Sequence, residues 1–586
     1  MNMNEEPKSI WKKSWNLPGL LLAWLILMVA TMAIFELILF ISNDSSNVAG
    51  RLVFGAITAT LFLGLWLFVR WLCCWKNFRR FLFGLACSAT LVALFYAEED
   101  WRGWHVWNQF KQQWEAKGEH FELASIVPPP VPDDQNFAMT PIAFSSYGQI
   151  LTRAGKPIPS AQRDTNFVVR MHMDISDNFN DPTNGGGDRV QGKLTRLEAW
   201  QNYYRELASK TNEFPVPAQR GSPAADVLVA LGRYEAVIEE LRAASRLPAS
   251  RFPLTYDSES PAAILLPHLA PLKCCARVLS LRSVAELQNS QSEQALADVR
   301  LGLQLTDKIR SEPVLISHLV RLSMVQLMLQ PVWEGLAQQK WPDAQLAALE
   351  AELSKFDFPA DYQRSMRGEI ALQNGEIEHL RRHPEELENV QAFSFGDTRG
   401  NASFLPGGPF GHLIPTGWFY QNQYRCARTM MDYYFPVADL ARGTFSPDVA
   451  RRGDAAVAAE VKSPSPFNLF ERMFMPALGN AARHFAFGQA SIALARTAIA
   501  LERYRLARGE FPDALDPLAP QFIAQVPSDV VGGQPLKYRR NPDGRFVLYS
   551  IGWNGTDDGG VQVFEKGSSP KVDQAQGDWV WQYPEK

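Results

Sequence analysis

LPGLLLAWLILMVATMAIFELILFI, residues 17–41, is a stretch of 25 residues with a single charge, Glu36. A helix of that length crosses the ~30 Å hydrocarbon core of a bilayer, so the chain is read as an integral membrane protein. The next apolar run, Leu52 to Val69, is uncharged and rich in Leu and Phe. A third, Phe81 to Ala97, is near the lower limit for a span. The first run is too long for the apolar part of a cleavable signal peptide. Phe35 and Glu36 also occupy the place where small residues would be cut.

Charge in the flanks orients these segments. Lys8, Lys12 and Lys13 precede the first run, and only Arg51, with Asp44 nearby, separates the first from the second. Arg70, Lys76, Arg79 and Arg80 lie between the second and third, and Glu98, Glu99 and Asp100 follow the third. The alternation predicts three spans with a cytoplasmic N-terminus and a body outside the cytoplasm. Glu36 then sits ~8 Å inside the outer end of the first span. It is a functional group by default, or a carboxyl that is protonated or reaches the headgroups. Beyond the third run, Trp101, Trp104, Trp107, Phe110 and Trp114 recur at helical spacing. They read either as an interfacial helix at headgroup level or as an aromatic stripe packed on the body.

The remainder reads as ordinary soluble protein. Net charge is -4 and no Lys/Arg block stands out, so no nucleic-acid partner is expected. Cys73, Cys74 and Cys87 belong to the membrane part, and Cys274, Cys275 and Cys426 to the body. They are too few for a disulfide scaffold, and read as buried free thiols or one bridge from Cys426 to the 274/275 pair.

Four regions are expected: an anchor over 1–100, an aromatic helix with a proline-rich spacer and mixed segments over 101–190, a helical body over 191–465, and 466–586. In the second region Pro128-Pro129-Pro130-Val131-Pro132 is a stiff spacer. Asp174, Asp177, Asn178, Asn180, Asp181 and Asp188, with Gly185-Gly186-Gly187 among them, form an oxygen-rich loop. It is a candidate for calcium, without EF-hand spacing.

Apolar periodicity predicts helices near 194–209, 222–245, 262–288, 292–310, 313–338, 342–355 and 359–384, several opened by proline. A further helix is expected near 418–435, a mobile linker over Ser446 to Ser465, and one long helix over 467–508 ending at Gly509. The fold class is mainly α, an α-solenoid or helical-bundle body behind three N-terminal transmembrane helices.

The last ninety or so residues combine several signals. The helix ending Glu502-Arg503-Tyr504 leads into Gly509-Glu510-Phe511-Pro512. A hairpin signal, Asn541-Pro542-Asp543-Gly544, lies between two strand-like runs, and Asn554-Gly555-Thr556-Asp557-Asp558-Gly559-Gly560 follows. In this order the segment resembles the C-terminal part of the major pseudopilin of type II secretion systems, a small α+β domain. That resemblance implies a calcium site at Asn554, Asp557 or Asp558, and Asp578. Asn554 stands where the family has Asp. The leader motif and single apolar helix of a pseudopilin are absent, so a filament subunit is not expected. Ile126–Phe137 and Gly417–Gln423 resemble stretches of large uncharacterised bacterial membrane-anchored proteins, a likeness that carries no activity.

No paired-histidine zinc helix, nucleophile elbow, phosphate loop or four-cysteine site is present. His379 and His383 share an i, i+4 relation without the glutamate a zinc helix needs, and Glu369 and Glu376 share one helix. The expected role is a scaffold or binding protein tethered to the bacterial inner membrane, its body periplasmic or otherwise extracytoplasmic. Its partners would be the lipid bilayer and a protein or envelope polymer. The alternatives are an accessory part of a secretion or pilus-like machine, and an envelope-acting hydrolase.

Overall fold

The N-terminal apolar runs fold as helices, α1 (Leu17–Ser42), α2 (Val48–Leu72) and the first part of α3 (Trp75–Glu115). The computed structural model describes residues 17–42, 48–151, 158, 169–176, 183, 185–210, 214–256, 260–261, 264–387, 408–567 and 571–584. They form two compact units, Met1–Glu99 and Asp100–Lys586, and the protein is mainly helical.

In the first unit α1 packs on α2, where Trp24 Nε1 donates to Thr60 Oγ1 at 2.9 Å. The side chain of Glu36 lies outside the described residues. Among those described, two helices are long and apolar enough to cross a membrane, Trp75–Glu115 and Leu315–Ala337. They pass for opposite reasons. The apolar part of α3 is bare, with Phe83 73% exposed, whereas Met324, Val325, Met328 and Leu329 of the second are wholly buried in the body. Only the first has the surface a lipid-facing helix needs. The described apolar stretches of the other two, Pro18–Thr31 and Ala56–Leu72, are shorter.

The α3 helix corrects two expectations at once. Glu98-Glu99-Asp100 contains no helix breaker, so the third apolar run and the aromatic stripe form one helix of 41 residues, ~60 Å long. No separate interfacial helix lies there. The stripe also divides. Trp107 and Phe110 are buried, the latter 5.4 Å from the ring of Tyr424, while Trp101 and Trp104 are exposed.

Among the described residues the second unit has twelve further helices longer than two turns, numbered in chain order. The first three are α4 (Leu197–Ala208), α5 (Pro223–Leu231) and α6 (Glu235–Ser245). The middle of the body is α7 (Leu269–Gln288), α8 (Ser292–Asp307), α9 (Leu315–Ala337), α10 (Asp343–Leu353) and α11 (Phe358–Arg382). The last four are α12 (Thr416–Thr429), α13 (Pro447–Val461), α14 (Leu469–Leu478) and α15 (Ala481–Arg508).

Capping side chains set several starts. Ser222 accepts from the Ala225 N–H and Asp357 from the Ala360 N–H, each with proline in the first turn. Where the structure departs from the periodicity, local chemistry explains it. A 3-10 turn at Gly232–Tyr234 divides the helix expected over 222–245. The expected linker over Ser446 to Ser465 is largely helical, because Ser446 caps it and Pro447 fills its first position. The single helix expected over 467–508 is two, separated at Gly479-Asn480 shortly after Pro476.

Within the body α7 packs on α8 and α9, and α15 lies against α9, α10 and α11. At Gly488 of α15 a Cβ would collide with Leu322 of α9, so glycine permits this close approach. A helix from the chain's end thus neighbours helices more than a hundred residues earlier. That arrangement is a bundle rather than a one-dimensional stack. After α15, β3 (Lys537–Arg540) and β4 (Phe546–Ser550) form the antiparallel hairpin expected around Asn541–Gly544, and β7 (Trp579–Val580) pairs with β4. Strands β5 (Gln562–Phe564) and β6 (Val572–Gly577) form a second ladder. Trp579, 1% exposed, meets Phe487 of α15 edge-on at 5.4 Å.

Candidate anion-binding cavity

A cavity of about 1030 Å³ in the body is lined by α7, α9, the Gly185–Thr195 loop and Lys571 at the start of the β6 ladder. Its geometry begins with the three glycines. A Cβ on Gly187 would collide with Gln330 Nε2 and lie 2.6 Å from Thr195 Oγ1. Only a residue without a side chain lets the loop reach α9 there. Asp188 then caps a 3-10 turn, accepting from the backbone N–H groups of Val190 (3.0 Å) and Gln191 (3.2 Å). Gln330 of α9 accepts from the Arg189 N–H at 2.7 Å, and Glu334 accepts from the N–H and hydroxyl of Thr195. Tied at both ends, the loop drives the Arg189 side chain inward.

Arg189 is the central feature. It is 6% exposed, and its Nη2 donates to Gln326 Oε1 and, at 2.9 Å, to Ser491 Oγ. Its Nε has no hydrogen-bond partner, and among the described residues no carboxylate forms an ion pair with it. Burial lowers its pKa to about 10, a shift that Asp188 only partly opposes. Trp200 also lines the cavity, 1% exposed, and its indole N–H has no partner. Buried donors are normally satisfied. Two that are not, in the wall of one cavity, mark a place for an acceptor.

Positive charge continues along α7. Lys273, Cys274 and Arg277 face the cavity one helical turn apart. Arg277 reaches Asp174 at 3.4 Å. Neither Lys273 nor Lys571 has a side-chain partner among the described residues. Among the described residues Asp188 is the acid in the wall, and its carboxylate is committed to the loop's amides and to Gln191 Nε2. Burial pushes the Cys274 thiol up to about 11, so it is no nucleophile at neutral pH. Such a wall can bind an oxyanion by charge-assisted hydrogen bonds.

The residues singled out by sequence lie elsewhere or serve other ends. Asp174 and Asp188 are not brought together around a common point, and Asp177, Asn178, Asn180 and Asp181 lie outside the described residues. In the C-terminal loop Asp578 accepts from the N–H groups of Gly560 (2.7 Å) and Asp558 (3.3 Å). Asp557 accepts from Tyr549 OH at 2.9 Å and pairs with Lys537 at 3.1 Å, and Asn554 donates to Asp558 at 2.8 Å. Lys537 thus stands beside the acids, and backbone amides engage part of the Asp578 carboxylate. Among the described residues no group of three or more His, Cys, Asp or Glu is placed to hold a metal. His379 and His383 pair with Glu386 and Glu385 at 3.1 and 3.5 Å. Cys274, Cys275 and Cys426 are free, buried thiols.

One buried polar chain escaped the sequence reading altogether. Tyr147 OH lies 2.5 Å from His268 Nδ1, His268 Nε2 lies 2.8 Å from Glu312 Oε1, and Ser317 donates to Glu312. All four are essentially inaccessible, and Phe252 stacks on the His268 ring at 3.9 Å. No substrate reaches this chain, so it is a satisfied core network. No family model, no curated protein and no solved structure matches the chain.

Proposed function

We propose that the protein is a membrane-tethered extracytoplasmic binding protein that takes a small anionic ligand into the Arg189 cavity. The observation that carries this reading is a buried guanidinium with no carboxylate partner, in the wall of a cavity that also carries two unpaired lysines. An unpaired buried charge is costly, and a ligand oxyanion would supply the missing partner.

The tether is proposed as three spans over 17–41, 52–69 and 81–97. Its support is the alternation of Lys/Arg-rich and acidic flanks, which sets the N-terminus in the cytoplasm and the body outside. A role beside a secretion or pilus-like machine is favoured by one observation, the succession of long helix and antiparallel hairpin over α15, β3 and β4.

The test is thermal unfolding of the full chain in mild detergent with glucuronate, succinate and inorganic phosphate, each against neutral glucose. A saturable rise in Tm with an anion, lost in Arg189→Met, is expected. No rise with any of the three, or a rise that survives Arg189→Met, rejects the reading. A reporter fused to the C-terminus that is active only in the cytoplasm rejects the three-span topology.

A further inference from the structure

A second cleft, of about 810 Å³, lies between the Pro128–Pro132 strap and the turn joining α8 to α9. Five cations line it, Arg251, Lys308, Arg310, Arg364 and Arg367, against one acid, Asp307. In a chain of net charge -4 this concentration is not a random sample of the surface. Several of these cations are held by neutral groups. Arg251 Nε donates to the Pro128 carbonyl at 2.9 Å, and Lys308 Nζ to the Leu247 carbonyl at 2.6 Å. Arg364 Nη1 donates to the Arg310 carbonyl at 2.8 Å. Arg367 is held by a carboxylate, Glu119, at 2.7 and 2.8 Å.

Behind the wall one buried carboxylate, Asp361, serves too many partners. Arg321 takes it directly, leaving Arg310 at 3.5 Å and Arg364 at 3.8 Å. Arg310 Nε and Ser250 Oγ are buried without a hydrogen-bond partner. The strap also has a fixed position. Asn136 exchanges hydrogen bonds with the backbone of Arg251, and Phe137 N–H donates to the Ala249 carbonyl at 2.9 Å. The cationic groups are therefore held in place, and the two carboxylates that reach them, Asp361 and Glu119, are fewer than the cations.

We propose that this cleft is a second anion site, independent of the Arg189 cavity, and that it takes a phosphate-bearing group of two or more charges. A single carboxylate cannot answer Arg310 Nε and Ser250 Oγ, which lack hydrogen-bond partners, and also the guanidinium groups of Arg251 and Arg364, which line the same cleft. A phosphate presents three oxygens at the angles guanidinium forks match. The group's source is either a soluble phosphoanhydride or an anionic lipid headgroup.

The test uses the full chain in nanodiscs, and Tm as readout. One arm adds inorganic pyrophosphate to phosphatidylcholine discs, and the other replaces part of the phosphatidylcholine with phosphatidic acid, whose headgroup is a phosphomonoester. A saturable rise in the first arm identifies a soluble ligand, and one confined to the second identifies a headgroup. In either case Arg251→Gln/Arg364→Gln should weaken the effect roughly tenfold or more, and Arg189→Met should leave it intact. Arg364→Gln alone carries the test if the double variant fails to fold, since its closest contact is one carbonyl. No rise in either arm overturns the proposal, as does a rise unchanged in the cleft variants. A rise abolished by Arg189→Met assigns the anion to the other cavity and overturns it too.

Discussion

Replacing Arg189 by methionine separates a ligand-binding group from a structural post. The fall of its pKa from the usual arginine range to about 10 means that the folded body disfavours its charge by about 3 kcal/mol. Methionine removes that burden and keeps most of the side-chain volume. It also removes the hydrogen bonds to Gln326 and Ser491, worth about 1–3 kcal/mol together. The two nearly cancel, so Arg189→Met should leave stability within about 2 kcal/mol of the parent, on the favourable side if water reaches Gln326.

Arg321→Met supplies the contrast. Arg321 is equally enclosed but is paired with Asp361 and, at 3.1 Å, with Asp307. Its loss strands a buried carboxylate at a cost of about 3–5 kcal/mol, toward the low end because Arg310 and Arg364 remain nearby. The assay is thermal and urea unfolding of both variants side by side, followed by tryptophan fluorescence in detergent. If Arg189→Met costs as much as Arg321→Met, Arg189 is a core strut and its lack of a partner says nothing about ligands.

Three other outcomes follow from the geometry. Burial raises Glu369 from 4.5 to about 7, opposed by a single hydrogen bond from the Leu315 N–H. Its stabilising contribution is complete below about pH 4.5 and lost as pH rises through 7. Tm should therefore decline between pH 5 and 8, and Glu369→Gln should flatten that decline. Gly187→Ala should lower Tm by an overpacking cost of about 1–3 kcal/mol and abolish anion binding, because the new methyl lies where Gln330 holds the loop. Adding calcium should leave Tm unchanged, whereas Asp578→Ala should lower it with or without calcium by freeing the N–H groups of Asp558 and Gly560. A calcium-dependent rise in the parent protein would show that the loop rearranges to bind the ion.

What could be read from the sequence was whatever depends on near neighbours. Proline marked the starts of several helices, and Asn541–Gly544 marked the hairpin, because turn and cap chemistry acts within four residues. The linker expected over Ser446 to Ser465 failed for an instructive reason. Its alanines and charges are also helix formers, and Ser446-Pro447 opens a helix as Ser222-Pro223 does. The Gly185–Asp188 run was noticed for its oxygens. Its use is steric, and Gln330, which dictates that use, lies some 140 residues away. The site residues stayed hidden because an arginine's importance here rests on what does not face it. Arg189 and Arg321 look alike in the sequence, and only the fold supplies one with a carboxylate and withholds it from the other.

The burial of α15 among α9, α10 and α11 also orders events in the life of the chain. Ser491, which receives Arg189 from 302 residues earlier, and Gln582, whose carbonyl accepts from Trp333 at 2.7 Å, are both made late. A chain still being synthesised exposes the apolar faces of its middle helices until this last segment arrives. Truncation between Arg382 and Ala481 would remove α15 from its place against α9, α10 and α11, and with it Ser491, the partner of Arg189, and Lys571 of the cavity wall.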